Sequence, residues 1–256
     1  MVKVNYEEVI MLRGIEELIG YKLSAKDGEI GKVYDFFFDD YTWTVRYMVA
    51  DTGNWLPGRR VLISTYSLEK PNLHAGLFPV NLTKKQIENA PDVDTHQPLE
   101  RQREVELTQY YGWPDYWTGL GAPVIGGVPP LSGQIPVPVT GKEDRRDTHL
   151  HSARAIIDLS IEGTDDNIGH VEDFIVDDSA WSIRYLVVDT RNWLPGGKKV
   201  ILSPHWIKRM DWMDAKVYID LTKDQIKNSP EWDPSALPQR EYEEKLYHHY
   251  DKKIYW

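Results

Sequence analysis

Two pairs of adjacent carboxylates, Asp39-Asp40 and Asp177-Asp178, are the first residues in this sequence that could do chemistry. Paired acids suggest a divalent-cation site or the two carboxyls of a glycoside hydrolase. A hydrolase, however, holds its carboxyls about 5–9 Å apart across a cleft, and neighbours at a hairpin tip rarely do that. Cation sites draw oxygens from several positions of one loop, and Tyr41-Thr42 or Ser179-Ala180 add little. The simpler reading is solvated turn residues. Arg46 and Arg184 fall within apolar runs, where a buried guanidinium needs an acidic partner. Asp35 and Asp173 are the expected partners, giving structural ion pairs, with anion binding as the alternative. His149 and His151 would share one face of a strand, and His248-His249 are adjacent, but two imidazoles make an incomplete metal site. The absence of cysteine excludes disulfides, thiolate nucleophiles and thiolate metal ligands. There is no Gly-rich phosphate loop, no H-E-x-x-H and no G-x-S-x-G. The expectation is no catalytic residue, no metal and no cofactor.

A loop and an aromatic arm offer binding rather than catalysis. The loop Asp51-Thr52-Gly53-Asn54-Trp55-Leu56-Pro57-Gly58 returns as Asp189-Thr190-Arg191-Asn192-Trp193-Leu194-Pro195-Gly196. Asp51, Asn54, Asp189 and Asn192 can bond backbone groups in tight turns, and Pro57 and Pro195 preset a turn corner. Trp55 and Trp193 are either anchors, for a partner or between the two repeats, or plugs that close the end of their own small core. The arm carries Tyr110, Tyr111, Trp113, Tyr116 and Trp117, echoed by Tyr247, Tyr250, Tyr255 and Trp256. This surface must be buried somewhere. Packing on the parent domain or on the other repeat is the simpler expectation, a homodimer interface the sharper one, and a sugar platform a third.

The elements that position these groups read as strands. Glu29 to Asp40 is aromatic and β-branched, and Trp43, Val45, Tyr47 and Val49 alternate with Thr44, Arg46, Met48 and Ala50. The two runs predict an antiparallel hairpin. Further strands are expected at Arg59 to Ser64 and Leu77 to Leu82. A short helix should start at Thr83-Lys84-Lys85-Gln86, a capping-box pattern, with another helix over Gln102 to Tyr111. Ile30 aligns with Ile168, Trp43 with Trp181 and Asn54 with Asn192. After one inserted residue near Gly197, Ser64 aligns with Ser203 and Gln86 with Gln225. Roughly 17 identities in about 28 positions from Ile30 to Pro57 establish an internal duplication. The chain is therefore expected to hold one repeat with its arm at 1–117, a Gly/Pro-rich linker at 118–148 and a second repeat with its arm at 149–256.

A chain of 256 residues suffices for two domains with modest cores. The net charge of -10 argues against sequence-independent nucleic-acid binding, which runs on Lys and Arg, though a basic protein could still dock. The start lacks the continuous apolar core of a signal peptide, and no run is long enough for a membrane span. A cytoplasmic location is the expectation. The 10 Trp and 15 Tyr against 5 Phe point to half-buried positions and interfaces, where a polar handle is useful.

The hairpin through paired acids, the strand ending in Asp, the Trp-Leu-Pro-Gly loop and the following VLIS or VILS together resemble the PRC-barrel family. That family takes its name from the cytoplasmic domain of the photosynthetic reaction centre H subunit, and a related barrel lies in a ribosome maturation factor. The resemblance covers about residues 14–82 and 152–221 and is similar to the bacterial stand-alone subgroup, which often carries two such domains. It implies a mainly β protein, two tandem small β-barrels with short helical appendages, acting by docking to other proteins. The chain lacks the membrane helix of the reaction-centre subunit and the N-terminal domain of the ribosome factor, so neither partner transfers. The expected function is a non-enzymatic interaction or scaffold module with a protein partner. A hydrolase or ligand-binding protein with a cleft between the repeats, and a ribosome-assembly-type adaptor, are the alternatives.

Overall fold

The computed structural model describes residues 12–91, 99–117, 150–233 and 238–254. The expected linker at 118–148, together with His149, Tyr255 and Trp256, lies outside them. In chain order the elements are β1 (Leu12–Gly14), α1 (Ile15–Leu18), β2 (Lys22–Ala25), β3 (Gly28–Asp39), β4 (Thr44–Asp51), β5 (Arg60–Ser64), β6 (Leu77–Pro79), α2 (Lys84–Glu88) and α3 (Arg101–Tyr111). They continue with β7 (Leu150–Ser152), β8 (Ser160–Glu162), β9 (Asn167–Asp177), β10 (Ser182–Asp189), β11 (Lys199–Leu202), β12 (Ile207–Asp211), β13 (Lys216–Ile219), α4 (Lys223–Lys227) and α5 (Arg240–His249). The protein is mainly β with few and short helices.

These elements form two units, and each unit borrows a strand from the other half of the sequence. The first contains Leu18 to Ser152; the second contains Ala153 onward together with the stretch ending at Glu17. In the first unit β3 pairs antiparallel with β2, β4 and β7, β4 pairs with β5, and β6 runs parallel to β2. In the second unit β9 pairs antiparallel with β8, β10 and β1, β10 pairs with β11, and β13 joins β12 to β8. A contiguous division of the chain places β1 and β7 the other way round.

The long strands are buried on both sides rather than on one. Phe36, Phe37 and Phe38 are all at most 1% exposed, as are Met48, Val49 and Ala50. Strict alternation therefore fails in the second half of β4, since strands covered on both faces read as continuous apolar runs. Each such side chain contributes about 1.5–3 kcal/mol on burial. The first strand of the expected hairpin ends at Asp39, and β4 begins at Thr44 rather than Trp43. Trp43 and Trp181 instead sit in the turn with φ of 51° and 56°. Left-handed backbone is costly for a bulky residue, but Trp43 is only 7% exposed and stacks on Phe38 at 5.3 Å, so packing outweighs the strain. Gly31 and Gly169 are needed for close approach. A Cβ at either would fall about 2 Å from the carbonyl of Asp51 or Asp189, where β4 and β10 end against the long strands.

Both short helices form where the capping boxes predict them. Thr83 and Gln86 satisfy each other's backbone at the start of α2, and Thr222 and Gln225 do so at α4. Among the described residues no helix is long and apolar enough to cross a membrane.

Candidate interaction surface

The repeated loop is built from its threonine outward. Thr52, 2% exposed, shares its hydroxyl proton between the carbonyls of Leu56 and Arg59, and Thr190, fully buried, donates to that of Lys198. Asp51 accepts the N–H of Gly53, and Asp189 accepts both the N–H and the guanidinium of Arg191. Burial would raise the Asp189 carboxyl, but the Arg191 bonds and charge hold it below its ordinary value. The loop then ends on a cation that closes the neighbouring helix. Arg59 donates to the carbonyls of Glu88 and Ala90 at the end of α2, and Lys198 donates to those of Lys227 and Ser229 at the end of α4. Carbonyls left over at a helix C-terminus are common targets of basic side chains. Asn192 donates to Asn167, and Asn54, Asn192, Pro57 and Pro195 are exposed. Trp55 and Trp193 are half-buried, each with a lysine ammonium 4.7 Å from its ring centroid: Lys84 for one, Lys223 for the other.

The expected ion pairs are corrected by four positions along the long strand. Arg46 pairs with Asp39 at 3.2 Å and Arg184 with Asp177 at 2.8 Å. Both arginines are the extra residue of a β-bulge, between Tyr47 and Val45 in one unit and between Tyr185 and Ile183 in the other. From there Asp39 and Asp177 lie opposite Thr44 and Ser182, two residues away. Asp35 and Asp173 lie opposite Val49 and Val187, three residues in the other direction or roughly 10 Å along the strand. Asp39 and Asp177 also cap the turn, accepting the N–H groups of Tyr41 and Thr42, or of Ser179 and Ala180. Burial pushes the Asp177 carboxyl up, yet the bonds from Ser179 and Arg184 together hold it below its ordinary value.

The second member of each acidic pair is not a solvated turn residue either. Asp40 meets His151 Nε2 at 3.1 Å, and Asp178 meets Arg13 Nε at 2.5 Å. His151, on β7, is thus a partner for the carboxylate that follows β3. Asp35 accepts the hydroxyl of Ser152 and the N–H of Phe36, while Asp173 accepts the N–H groups of Glu16 and Phe174.

Among the described residues, each arm lies on its own unit. In the first unit Glu104 of α3 is fully buried and accepts from Tyr47 at 3.3 Å, Tyr116 at 2.5 Å and Arg101 at 2.9 Å. Burial, then the Glu104 charge, pushes both tyrosine hydroxyls well above their ordinary value. Tyr111 stacks on Trp113 at 4.1 Å, and Trp113 donates its indole N–H to Ser67. Tyr116 also stacks over Arg46, its centroid 3.9 Å from the guanidinium, and Trp117 lies 4.6 Å from that of Arg101. In the second unit Glu243 of α5 accepts from Tyr185 at 2.5 Å, and Tyr250 packs on Trp206 at 4.9 Å. Sequence reasoning missed Glu104 and Glu243, and also Thr52 and Thr190. The signal was present: a glutamate recurs at the aligned place in both arm helices, amid tyrosines. Among the described residues no three His, Asp or Glu side chains gather as a metal site.

No curated protein matches this chain. One family model does, that of the PRC-barrel domain, over residues 149–226. That span opens on β7, takes in the β9–β10 hairpin with its Arg184–Asp177 bulge and the Thr190-stapled loop, and closes in α4. It is this part of the chain, residues 149–226, that carries a PRC-barrel domain.

Proposed function

We propose that this protein is a non-enzymatic interaction or scaffold module, built from two PRC-type β-barrels and docking to a protein partner. In sequence the first repeat and its arm occupy residues 1–117, the second 149–256, and 118–148 link them, with β1 and β7 each completing the unit of the opposite half. The observation that carries the reading is the twice-made surface of Trp55 on Lys84 and Trp193 on Lys223, each backed by a threonine-stapled loop. A half-buried indole on a rigid support is the kind of anchor that dominates protein interfaces. The charged groups that could have served a reaction support the same reading, because Asp39, Asp177, Asp40, Asp178, Glu104 and Glu243 are all engaged in pairs inside the fold. The acidic balance of the chain favours a protein partner over nucleic acid.

The test compares the full chain with its Trp55→Ala/Trp193→Ala double variant. Proteins captured by the wild type are purified and titrated against both. A partner that binds the wild type and loses about tenfold or more in affinity with the variant supports the reading. Equal binding to both, with unchanged thermal unfolding, removes the loop from the interface.

A further inference from the structure

The three residues of β1 and the three of β7 occupy aligned positions in the two halves of the sequence: Leu12 with Leu150, Arg13 with His151, Gly14 with Ser152. Each strand lies on the long strand of the opposite half. β1 pairs Leu12, Arg13 and Gly14 with Asp177, Val176 and Ile175; β7 pairs Leu150, His151 and Ser152 with Asp39, Phe38 and Phe37. The receiving residues are aligned as well. Every position has its own receptor. The leucine is buried, at 7% in β1 and 0% in β7. The basic residue reaches the second aspartate of the acidic pair, Asp178 or Asp40, and the Arg13–Asp178 side chains are only 5% and 4% exposed. The third residue is small and faces the mid-strand carboxylate. Ser152 donates to Asp35, and a Cβ on Gly14 would stand 2.6 Å from Asp173 Oδ2.

The matched family domain begins at residue 149 and runs unbroken to 226, so its first strand belongs in sequence to the second half. In this chain that strand completes the first unit instead. We infer that the free side of β3 and of β9 beyond the acidic hairpin is a strand-docking site that reads an apolar–basic–small tripeptide, and that the two halves of one chain fill it by reciprocal exchange. Its occupants are β1 and β7 of the same molecule. The paired aspartates are then explained as the recognition element: one holds the bulge arginine, the other selects the incoming basic residue. Exchange of a like element between like units is a low-cost way to tie them together, because the unexchanged form would make the same backbone ladder with the aligned strand.

The chain has no cysteine, so engineered pairs report without background. Residues directly opposite on antiparallel strands bring their Cβ atoms close to disulfide range. Arg13→Cys with Val176→Cys, and His151→Cys with Phe38→Cys, sit at exchanged pairs. Arg13→Cys with Phe38→Cys, and His151→Cys with Val176→Cys, sit where unexchanged strands would lie. Each full-length variant also carries a protease site within residues 118–148 and is oxidised, cut and run on a non-reducing gel. Exchange predicts that only the first two variants stay joined after cutting, as one band of full-chain mass. Cross-linking in the last two, with halves that separate after cutting of the first two, overturns it. A doubled mass before cutting overturns exchange within one molecule. Because two independent pairs probe two different units, failure of one variant to fold leaves the other to decide.

Discussion

Asp35 and Asp173 hold equivalent places in the two units yet meet different neighbours. Asp35 accepts a hydroxyl from Ser152, but the aligned Gly14 has no side chain to offer Asp173. Burial, reinforced by the charges of Glu16 and Glu172, outweighs the two backbone bonds to Asp173 and pushes its carboxyl up to about 7. A folded-state value above the unfolded one means that the proton is held more tightly in the fold. The associated stability is full below about pH 4, falls as the pH rises toward 7, and is absent above that. The loss at pH 8 is of order 4 kcal/mol. Asp173→Asn keeps an acceptor for the N–H groups of Glu16 and Phe174 without the charge. Urea unfolding should therefore show the variant more stable than wild type at pH 8 and the difference vanishing near pH 4. Parallel curves across that window would discard the assignment. The sequence disclosed that Arg46, Arg184, Asp35 and Asp173 belong to adjacent strands. It did not disclose the partners, because a bulge inserts one residue and shifts every diagonal neighbour, and nothing in side-chain type announces a bulge.

At the scale of elements, the first arm helix is fastened by a polar clasp more than by an apolar stripe. Leu107 and Glu104 are the buried residues of α3, and Glu104 is bonded by Tyr47, Tyr116 and Arg101. Deleting one member of a buried network leaves the rest unsatisfied, at about 1–3 kcal/mol for each group. Glu104→Ala should lower the stability of the first unit and release α3, read as faster amide hydrogen exchange across 101–111. Glu104→Gln, which keeps an acceptor, should lose less. Unchanged exchange in both would mean that Leu107 and Trp113 suffice to hold the helix. The helix positions were readable from turn residues and capping boxes, since those signals are local. The docking was not, since a glutamate on a largely polar helix looks like a solvated face until the tyrosine that receives it is known.

For the whole molecule, the recurrence of residues 30–57 at 168–195 was visible in the sequence, but not which first strand serves which unit. A tripeptide strand carries too little pattern to name its partner, and both copies offer the same leucine, basic residue and small residue. This ambiguity has a measurable consequence. If β1 completes the second unit, damage at the start of the chain must be felt far along it. Arg13→Ala strands Asp178 as a buried, unpaired carboxylate, and breaking such a pair typically costs about 3–5 kcal/mol. Hydrogen exchange in the variant should accelerate in β9, at residues 167–177, while β3 at 28–39 keeps its protection. His151→Ala should do the reverse, loosening β3 through Asp40 and sparing β9. Local damage alone would give the opposite map, with each substitution loosening the long strand of its own half of the sequence. The two maps differ at more than ten amides apiece on each long strand, so the pattern of protection assigns the first strand of each unit to one half or the other.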